Sequence, residues 1–148
     1  MKETNPRNSK ENYLTNGIPA RHQHLRLHHK RKPIEVFAKL KELTIGSVGI
    51  SSITLAELHY GIEKSLFPDK NREALEKFLT PIEIIDFGFD ASNEYGKIRA
   101  ELEKNGTPIG PLDMLIAAHA KSLNVILVTN NEREFVRVPD LKIENWTK

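Results

Sequence analysis

Three short segments of this 148-residue chain place acidic or amide side chains inside otherwise apolar stretches. Residues 53–58 read Ile-Thr-Leu-Ala-Glu-Leu, residues 110–116 read Gly-Pro-Leu-Asp-Met-Leu-Ile, and residues 128–131 read Val-Thr-Asn-Asn. Each segment lies where a predicted strand passes into a helix or a loop. Carboxylates brought together from distant segments repel one another, and a hard divalent cation such as Mg²⁺ is the usual group that offsets this repulsion. The three segments therefore predict a metal site where they meet.

Glu57 has a structural interpretation beside this functional one. It lies three residues after Thr54, which is the spacing of a capping box. In that motif the glutamate accepts a hydrogen bond from the backbone N–H of the residue that caps the helix. Taken alone, the spacing favours a capping box over a metal ligand.

Asp113 lies in the first turn of a predicted helix. A carboxylate in that position interacts favourably with the helix dipole by ~0.3–1 kcal/mol, which is its structural interpretation. The residues on both sides of it are apolar, so we expect the carboxylate to face an enclosed space. This context favours a functional role for Asp113.

Two asparagines, of which Asn131 is the second, follow the apolar stretch of residues 125–128. Ligands of open α/β sheets bind beyond the carboxyl ends of the strands, although asparagine is also an ordinary turn residue. Glu134 is either a surface charge or a fourth acidic group. His119 follows the helical aspartate by six residues and so lies on nearly the opposite face, and we predict a buried supporting histidine rather than a metal ligand.

The composition excludes several classes of protein. The chain has no cysteine, which excludes disulfides, a thiolate zinc site and a cysteine nucleophile. No apolar stretch approaches the ~20 residues of a membrane span. Because the first residues are polar and charged rather than a secretory signal, we expect a cytoplasmic protein that makes no contact with a membrane.

Hydrophobic periodicity predicts an alternation of strands and helices. The predicted strands are residues 48–51, 82–87, 125–128 and 141–143, and the predicted helices are residues 33–40, 54–64, 71–79, 91–104 and 112–123. Asn105 and Gly106 form a C-cap pair at the end of the fourth helix. This alternation indicates an α/β fold with a mostly parallel sheet.

The charge is divided unevenly along the chain. Of 22 basic and 20 acidic residues, residues 1–32 hold eight and two, a net charge of +6, which leaves 14 and 18, a net charge of −4, in the remainder. We predict a disordered or aberrant N-terminal segment at residues 1–32 and one folded domain at residues 33–148. The basic segment is also typical of a nucleic-acid-binding arm, and its histidines could bind a transition metal.

The order and spacing of these motifs resemble those of PIN-domain ribonucleases, most closely the VapC-type toxins of toxin–antitoxin pairs. The resemblance runs from about residue 32 to residue 146 and covers residues 50–54, 61–65, 106–110, 132–135 and 143–146. It implies a three-layer α/β/α sandwich with a mostly parallel central sheet. It also implies hydrolysis of RNA phosphodiester bonds, with tRNA as a possible substrate, assisted by Mg²⁺ or Mn²⁺.

The same resemblance assigns roles to individual residues and to partners. Glu57 and Asp113 match two metal-binding carboxylates of the family. Asn131 matches a catalytic position that is often aspartate, and its amide offers an oxygen without a charge. The family further implies a homodimer and a small VapB-type antitoxin that covers the acidic site.

The first strand of the family, which ends in Leu-Asp-Thr-Asn, is not visible here. Residues 20–23 read Ala-Arg-His-Gln instead. Back-translation of residues 20–30, read one base later, permits Leu-Asp-Thr-Asn-Ile-Cys-Val-Tyr-Ile-Ile-Lys. We interpret the chain before about Lys30 as translated out of frame, so we predict a missing or disrupted first strand and no first aspartate.

On this interpretation the chain as written is poorly folded and inactive, and a frame-corrected version is an active ribonuclease. Two other functions remain open. One is a non-catalytic remnant that still binds the antitoxin. The other is an RNA-binding module with a basic tail, whose affinity would depend steeply on salt.

Overall fold

The computed structural model describes residues 23–25, as backbone only, and residues 48–146. A five-stranded sheet runs through this part of the chain, with all pairings parallel and the strand order β3-β2-β1-β4-β5. The strands are β1 (Gln23–Leu25), β2 (Val48–Ser51), β3 (Glu83–Ile85), β4 (Ile126–Val128) and β5 (Ile143–Glu144). The helices are α1 (Ser52–Glu63), α2 (Pro68–Leu79), α3 (Phe89–Lys104), α4 (Pro111–Ser122) and α5 (Glu132–Phe135).

α1 to α4 follow the sequence predictions to within three residues at each end, whereas α5 was not predicted. α1 begins two residues earlier than predicted because Ser51 caps it, with its Oγ accepting the backbone N–H of Ile53 at 3.2 Å. α2 begins at Pro68, since proline suits the first helical position. The helix predicted at residues 33–40 falls outside the described residues. Within residues 48–146, no helix is long and apolar enough to cross a bilayer.

Two hydrophobic clusters cover the two faces of the sheet. Leu127 belongs to one cluster and the next residue, Val128, to the other, because successive side chains of a strand point to opposite faces. The first cluster holds residues of α3 and α4, and the second holds residues of α1, with side chains of α2 packed against it. The predicted three-layer α/β/α sandwich is therefore confirmed.

The turn between α3 and α4 orients the helix that carries Asp113. Gly106 has a φ of +68°, and the backbone N–H of Thr107 donates to the carbonyl of Leu102 at 2.9 Å. Glycine adopts this left-handed conformation without a steric cost, so the predicted C-cap is confirmed. Ile109 is then buried against the core, and α4 starts two residues later.

The central strand corrects one prediction. We expected the first strand to be missing or disrupted, but the backbone of Gln23–Leu25 lies between β2 and β4 and pairs with both. A parallel ladder joins backbone N–H and C=O groups, so residues of unexpected type can still complete it. The strand nevertheless reads Gln-His-Leu and brings no carboxylate. Residues 1–22 and 26–47 lie outside the described residues.

Candidate functional site

Asp113 is held at the start of α4, where Gly110 is the N-cap and Pro111 the first helical residue. Its side chain is 8 % exposed in a helix whose other buried residues are nearly all apolar. An aspartate is rarely buried this far unless it has partners or a ligand. The structure therefore bears out the enclosed position that the sequence predicts for this carboxylate.

Asn131 lies beside Asp113, just beyond the carboxyl end of β4. Its amide Nδ2 donates to Oδ2 of Asp113 at 3.3 Å. Its backbone N–H donates to Oγ1 of the buried Thr129 at 3.0 Å, which fixes the turn between β4 and α5. Asn131 thus presents its N–H₂ group, rather than its oxygen, to the aspartate.

Glu134 is the acidic group that the sequence left undecided between surface and site. It lies on α5, and its Oε2 accepts the backbone N–H of Gly110 at 3.4 Å. A Cβ atom built on Gly110 would lie 3.7 Å from Oδ2 of Asp113 and 3.9 Å from Oε2 of Glu134. The two carboxylates therefore both lie within 4 Å of one point beside Gly110, which we call the space above Gly110.

We expect Gly110→Ala to weaken divalent metal binding about 10-fold while leaving the fold intact. The added methyl group meets the two carboxylates at ordinary contact distances, and a φ of −55° suits any residue. Calorimetric titration with Mn²⁺ measures the affinity. Gly96→Ala on α3 is the matched control, since a methyl group there meets nothing within 4 Å. Equal Mn²⁺ affinity in both variants would show that the space above Gly110 holds no metal.

We expect Asn131→Asp to lower the thermal midpoint without metal and to raise the stabilisation that Mg²⁺ gives. The change replaces an amide donor 3.3 Å from Asp113 with a second carboxylate. Two unit charges about 4 Å apart repel by about 1–4 kcal/mol at dielectric constants between bulk water and a protein surface. Thermal unfolding at neutral pH, with and without Mg²⁺, checks the result. A variant whose midpoint does not respond to Mg²⁺ would contradict it.

Glu57 lies in the middle of α1, and its side chain is partly buried. The capping-box interpretation is wrong, because the helix is capped by Ser51 and Thr54 lies inside it. In the described part of the chain, no group of three or more His, Cys, Asp or Glu side chains is close enough to hold one metal ion. The structure thus does not join Glu57 to Asp113 and Glu134 in one such group, and its metal role stays a prediction.

His119 is buried, as predicted, with an exposed fraction of 1 %. Its Nδ1 lies 2.8 Å from Oγ of Ser51, and its ring meets the ring of Phe87 edge-on at 5.5 Å. Burial lowers the pKa of the imidazole, and the backbone and charge of Asp86 oppose this effect. The sequence could not predict the bond to Ser51, because 68 residues separate the two.

The donor set at Gly110 suits a hard cation. Mg²⁺ in proteins is commonly held by one or two carboxylates and keeps several of its waters. Asp113 and Glu134 supply two carboxylates beside Gly110, and Asn131 donates a hydrogen bond to the carboxylate of Asp113. The residues present therefore fit a divalent metal ion.

Comparison with known proteins identifies the family of this chain. The family model described as PIN domain matches residues 25–141. The chain is 46 % identical over 117 residues to the tRNA(fMet)-specific endonuclease VapC of Salmonella typhimurium, covering 79 % of this chain and 88 % of that protein. It is equally similar, with the same coverage, to Ribonuclease VapC2 of Haemophilus influenzae.

The fold comparison gives the same result. The crystal structure of DNA-bound VapBC from Salmonella typhimurium matches with a TM-score of 0.74 and 45 % identity, covering 78 % of this chain and 87 % of that chain. Both the family model and the relatives extend over most of the chain. The chain belongs to the PIN-domain family, and within it to the VapC-type ribonucleases.

Proposed function

We propose that this chain is a Mg²⁺-dependent endoribonuclease that acts as the toxin of a type II toxin–antitoxin pair. The observation that carries the proposal is the pair of carboxylates, Asp113 and Glu134, that flank Gly110 beyond the carboxyl end of the parallel sheet. This is the edge at which open α/β sheets bind their ligands. The VapC relatives, which carry endonuclease or ribonuclease in their names, support the same reaction.

The residues at this edge have distinct roles in the proposed reaction. Asp113 and Glu134 would hold the cation, and Asn131 keeps Oδ2 of Asp113 in place by its 3.3 Å hydrogen bond. Glu57 is the further carboxylate that the family resemblance assigns to the metal. A bound Mg²⁺ or Mn²⁺ lowers the pKa of a water molecule and offsets negative charge on the phosphodiester oxygens.

The central strand limits this activity. Gln23–Leu25 occupies the middle of the sheet without contributing a carboxylate, whereas the family places its first aspartate at the end of this strand. A metal site with fewer anionic ligands binds its cation more weakly, because each carboxylate adds to the attraction. We therefore propose that the chain as written cleaves RNA far more slowly than a version that has this aspartate.

The family also supplies the proposed partners. The similar crystal structure is a VapBC complex, and we propose a VapB-type antitoxin as the partner of this chain. We further propose a homodimer, as the resemblance implies, and a tRNA substrate like that in the name of the Salmonella relative. We also propose that the reaction takes place in the cytoplasm, where tRNA is used.

The proposed function is tested by incubating the purified chain with bulk tRNA in Mg²⁺ and, in parallel, in EDTA. We expect slow cleavage in Mg²⁺ and none in EDTA. Glu134→Gln keeps the size of the side chain and removes its charge, so it should remove the Mg²⁺-dependent part. Cleavage that persists in EDTA would contradict the proposal, because it would need no metal.

A second candidate function is antitoxin binding without cleavage. The absence of a carboxylate from Gln23–Leu25 favours it, since this change affects catalysis but leaves the sheet paired. Co-expression with a VapB-type antitoxin separates the two functions. Co-purification together with complete inactivity in Mg²⁺ would favour the binding function over the nuclease.

A further inference from the structure

A buried polar junction joins three elements at the carboxyl ends of β2 and β3. Ser51, at the end of β2, is 1 % exposed, and its Oγ lies 2.8 Å from Nδ1 of the equally buried His119 on α4. The same Oγ accepts the backbone N–H of Ile53 in the first turn of α1. One hydroxyl therefore connects the start of α1 with the last turn of α4.

The segment that follows β3 completes this junction. The backbone N–H of Phe87 donates to Oγ of Ser52 at 3.1 Å, and the Phe87 ring lies edge-on to the imidazole. His119 also makes a hydrogen bond with the backbone of Asp86. Because these bonds join the start of α1, the last turn of α4 and the segment after β3, a shift of any one of these elements would break at least one of them.

The hydrogen bonds determine which ring nitrogen carries the proton. The backbone and charge of Asp86 favour the protonated imidazole, and burial opposes them. Because Nδ1 lies 2.8 Å from Oγ of Ser51, we assign the proton of the neutral ring to Nε2. In the neutral ring Nδ1 then accepts the hydroxyl hydrogen of Ser51, and the Ser51 oxygen accepts the N–H of Ile53.

We propose that His119 is a positioning residue, which through its bond to Ser51 fixes the helix that carries Glu57 against the helix that carries Asp113. Glu57 follows Ser51 by six residues on α1, and Asp113 precedes His119 by six residues on α4. Each carboxylate therefore lies about 9 Å along its helix from the shared bond. The consequence for metal binding rests on the function proposed above, whereas the connection between the helices does not.

Protonation of His119 would reverse its bond to Ser51. A hydrogen on Nδ1 would turn this atom into a donor to Oγ, and the Ser51 hydroxyl hydrogen would lose its acceptor. The groups that face the ring from the β3–α3 segment are the charged Asp86 and the uncharged Phe87, and the group that faces it from the end of β2 is the uncharged Ser51. Burial outweighs the effect of Asp86 and lowers the pKa of the imidazole, which favours the neutral ring.

Three substitutions separate positioning from simple core packing. His119→Asn keeps an acceptor near the place of Nδ1, His119→Gln keeps a donor near the place of Nε2, and His119→Leu keeps only apolar volume. Ile98→Val on α3, at a site 1 % exposed in the neighbouring core, is the matched control for general destabilisation. We expect His119→Leu and His119→Gln, but not His119→Asn or the control, to shift the amide NMR signals of residues 52–58.

The metal readout uses the same proteins. Mn²⁺ titration by calorimetry should show about 10-fold weaker binding in His119→Leu and near-parental binding in His119→Asn. A parent chain that binds no Mn²⁺ would refute the proposed metal-dependent function but not the connection between the helices. Unshifted α1 amides in His119→Leu would overturn the inference whatever the metal result.

The protonation state gives an independent test. Nitrogen NMR of the parent chain should show Nε2 protonated and Nδ1 unprotonated at pH 6.5, where an ordinary imidazole is half charged. The pKa of His119 is lower in the folded than in the unfolded chain. Its contribution to the free energy of unfolding is therefore fully present above pH 6.5 and decreases as the pH falls towards the folded pKa. His119→Asn should remove this part of the acid dependence. A half-protonated ring at pH 6.5 would overturn the assignment.

Discussion

Replacing residues 20–29 with Leu-Asp-Thr-Asn-Ile-Cys-Val-Tyr-Ile-Ile will raise Mg²⁺-dependent cleavage of tRNA about 100-fold or more. The replacement, called here the restored segment, puts an aspartate at position 21. In the family this aspartate ends the first strand, so we expect the residues before position 21 to replace Gln23–Leu25 between β2 and β4 and to bring the aspartate to the carboxyl edge of the sheet. The neighbours of this strand, β2 and β4, lead at their carboxyl ends to Ser51 and Thr129. An added carboxylate there strengthens metal binding and places further charge at the reacting phosphate.

The control for this experiment is the same segment with Arg21→Asn in place of Arg21→Asp. It restores the apolar strand and leaves out the charge, so it should gain stability without gaining activity. Thermal unfolding and the initial rate of cleavage, measured on both proteins, separate the two effects. Equal rates in the two proteins would show that the position-21 carboxylate has no part in catalysis.

The origin of the N-terminal segment is tested separately. We expect the genomic DNA across codons 14–33 to contain Leu-Asp-Thr-Asn in an adjacent reading frame. If the frame is instead confirmed as written, the chain lacks the first aspartate in the cell as well. Its basic residues would then need a role of their own, such as contact with RNA phosphates.

Asp113→Asn in the chain with the restored segment will lower Mg²⁺-dependent cleavage about 100-fold or more while leaving the thermal midpoint nearly unchanged. Asp113 is 8 % exposed and shares the space above Gly110 with Glu134, so removing its charge removes both a metal ligand and a buried repulsion. The loss should appear in the rate and in the Mg²⁺ concentration needed for half of the maximal rate. It should not appear in the affinity for RNA measured without metal.

Asp90→Asn is the matched control for this substitution. Asp90 also lies in the first turn of a helix, α3, but it is exposed. Both changes therefore remove the same interaction with a helix dipole, and only one of them touches the site. Similar rates in the two variants would contradict the role of Asp113 as a metal ligand.

The sequence predicts much of this site because its local signals agree with the fold. Asp113 stands out because apolar residues surround it in a helix, and the structure buries it. Asn131 stands out because it follows a buried strand, and the structure places it against Asp113. In both cases the apolar residues that predict burial lie within a few residues of the polar side chain, so the sequence alone indicates where it lies.

The remaining features depend on contacts between distant segments. Glu134 lies on a helix of four residues, which is too short to give a periodic pattern, and it meets Gly110 from 24 residues away. The bond between Ser51 and His119 spans 68 residues. The central strand was missed for a different reason. The residue types of Gln23–Leu25 fit no family pattern, yet their backbone pairs with both neighbouring strands.

The rate of tRNA cleavage as a function of Mg²⁺ concentration is the measurement to make first, on the chain with the restored segment and on the same chain with Asp113→Asn. We expect the rate of the parent to rise with Mg²⁺ to a plateau and to vanish in EDTA. The variant should stay near the background at every concentration. Cleavage that is independent of Mg²⁺, or equal in the two proteins, would contradict a metal-dependent reaction at the Asp113 carboxylate.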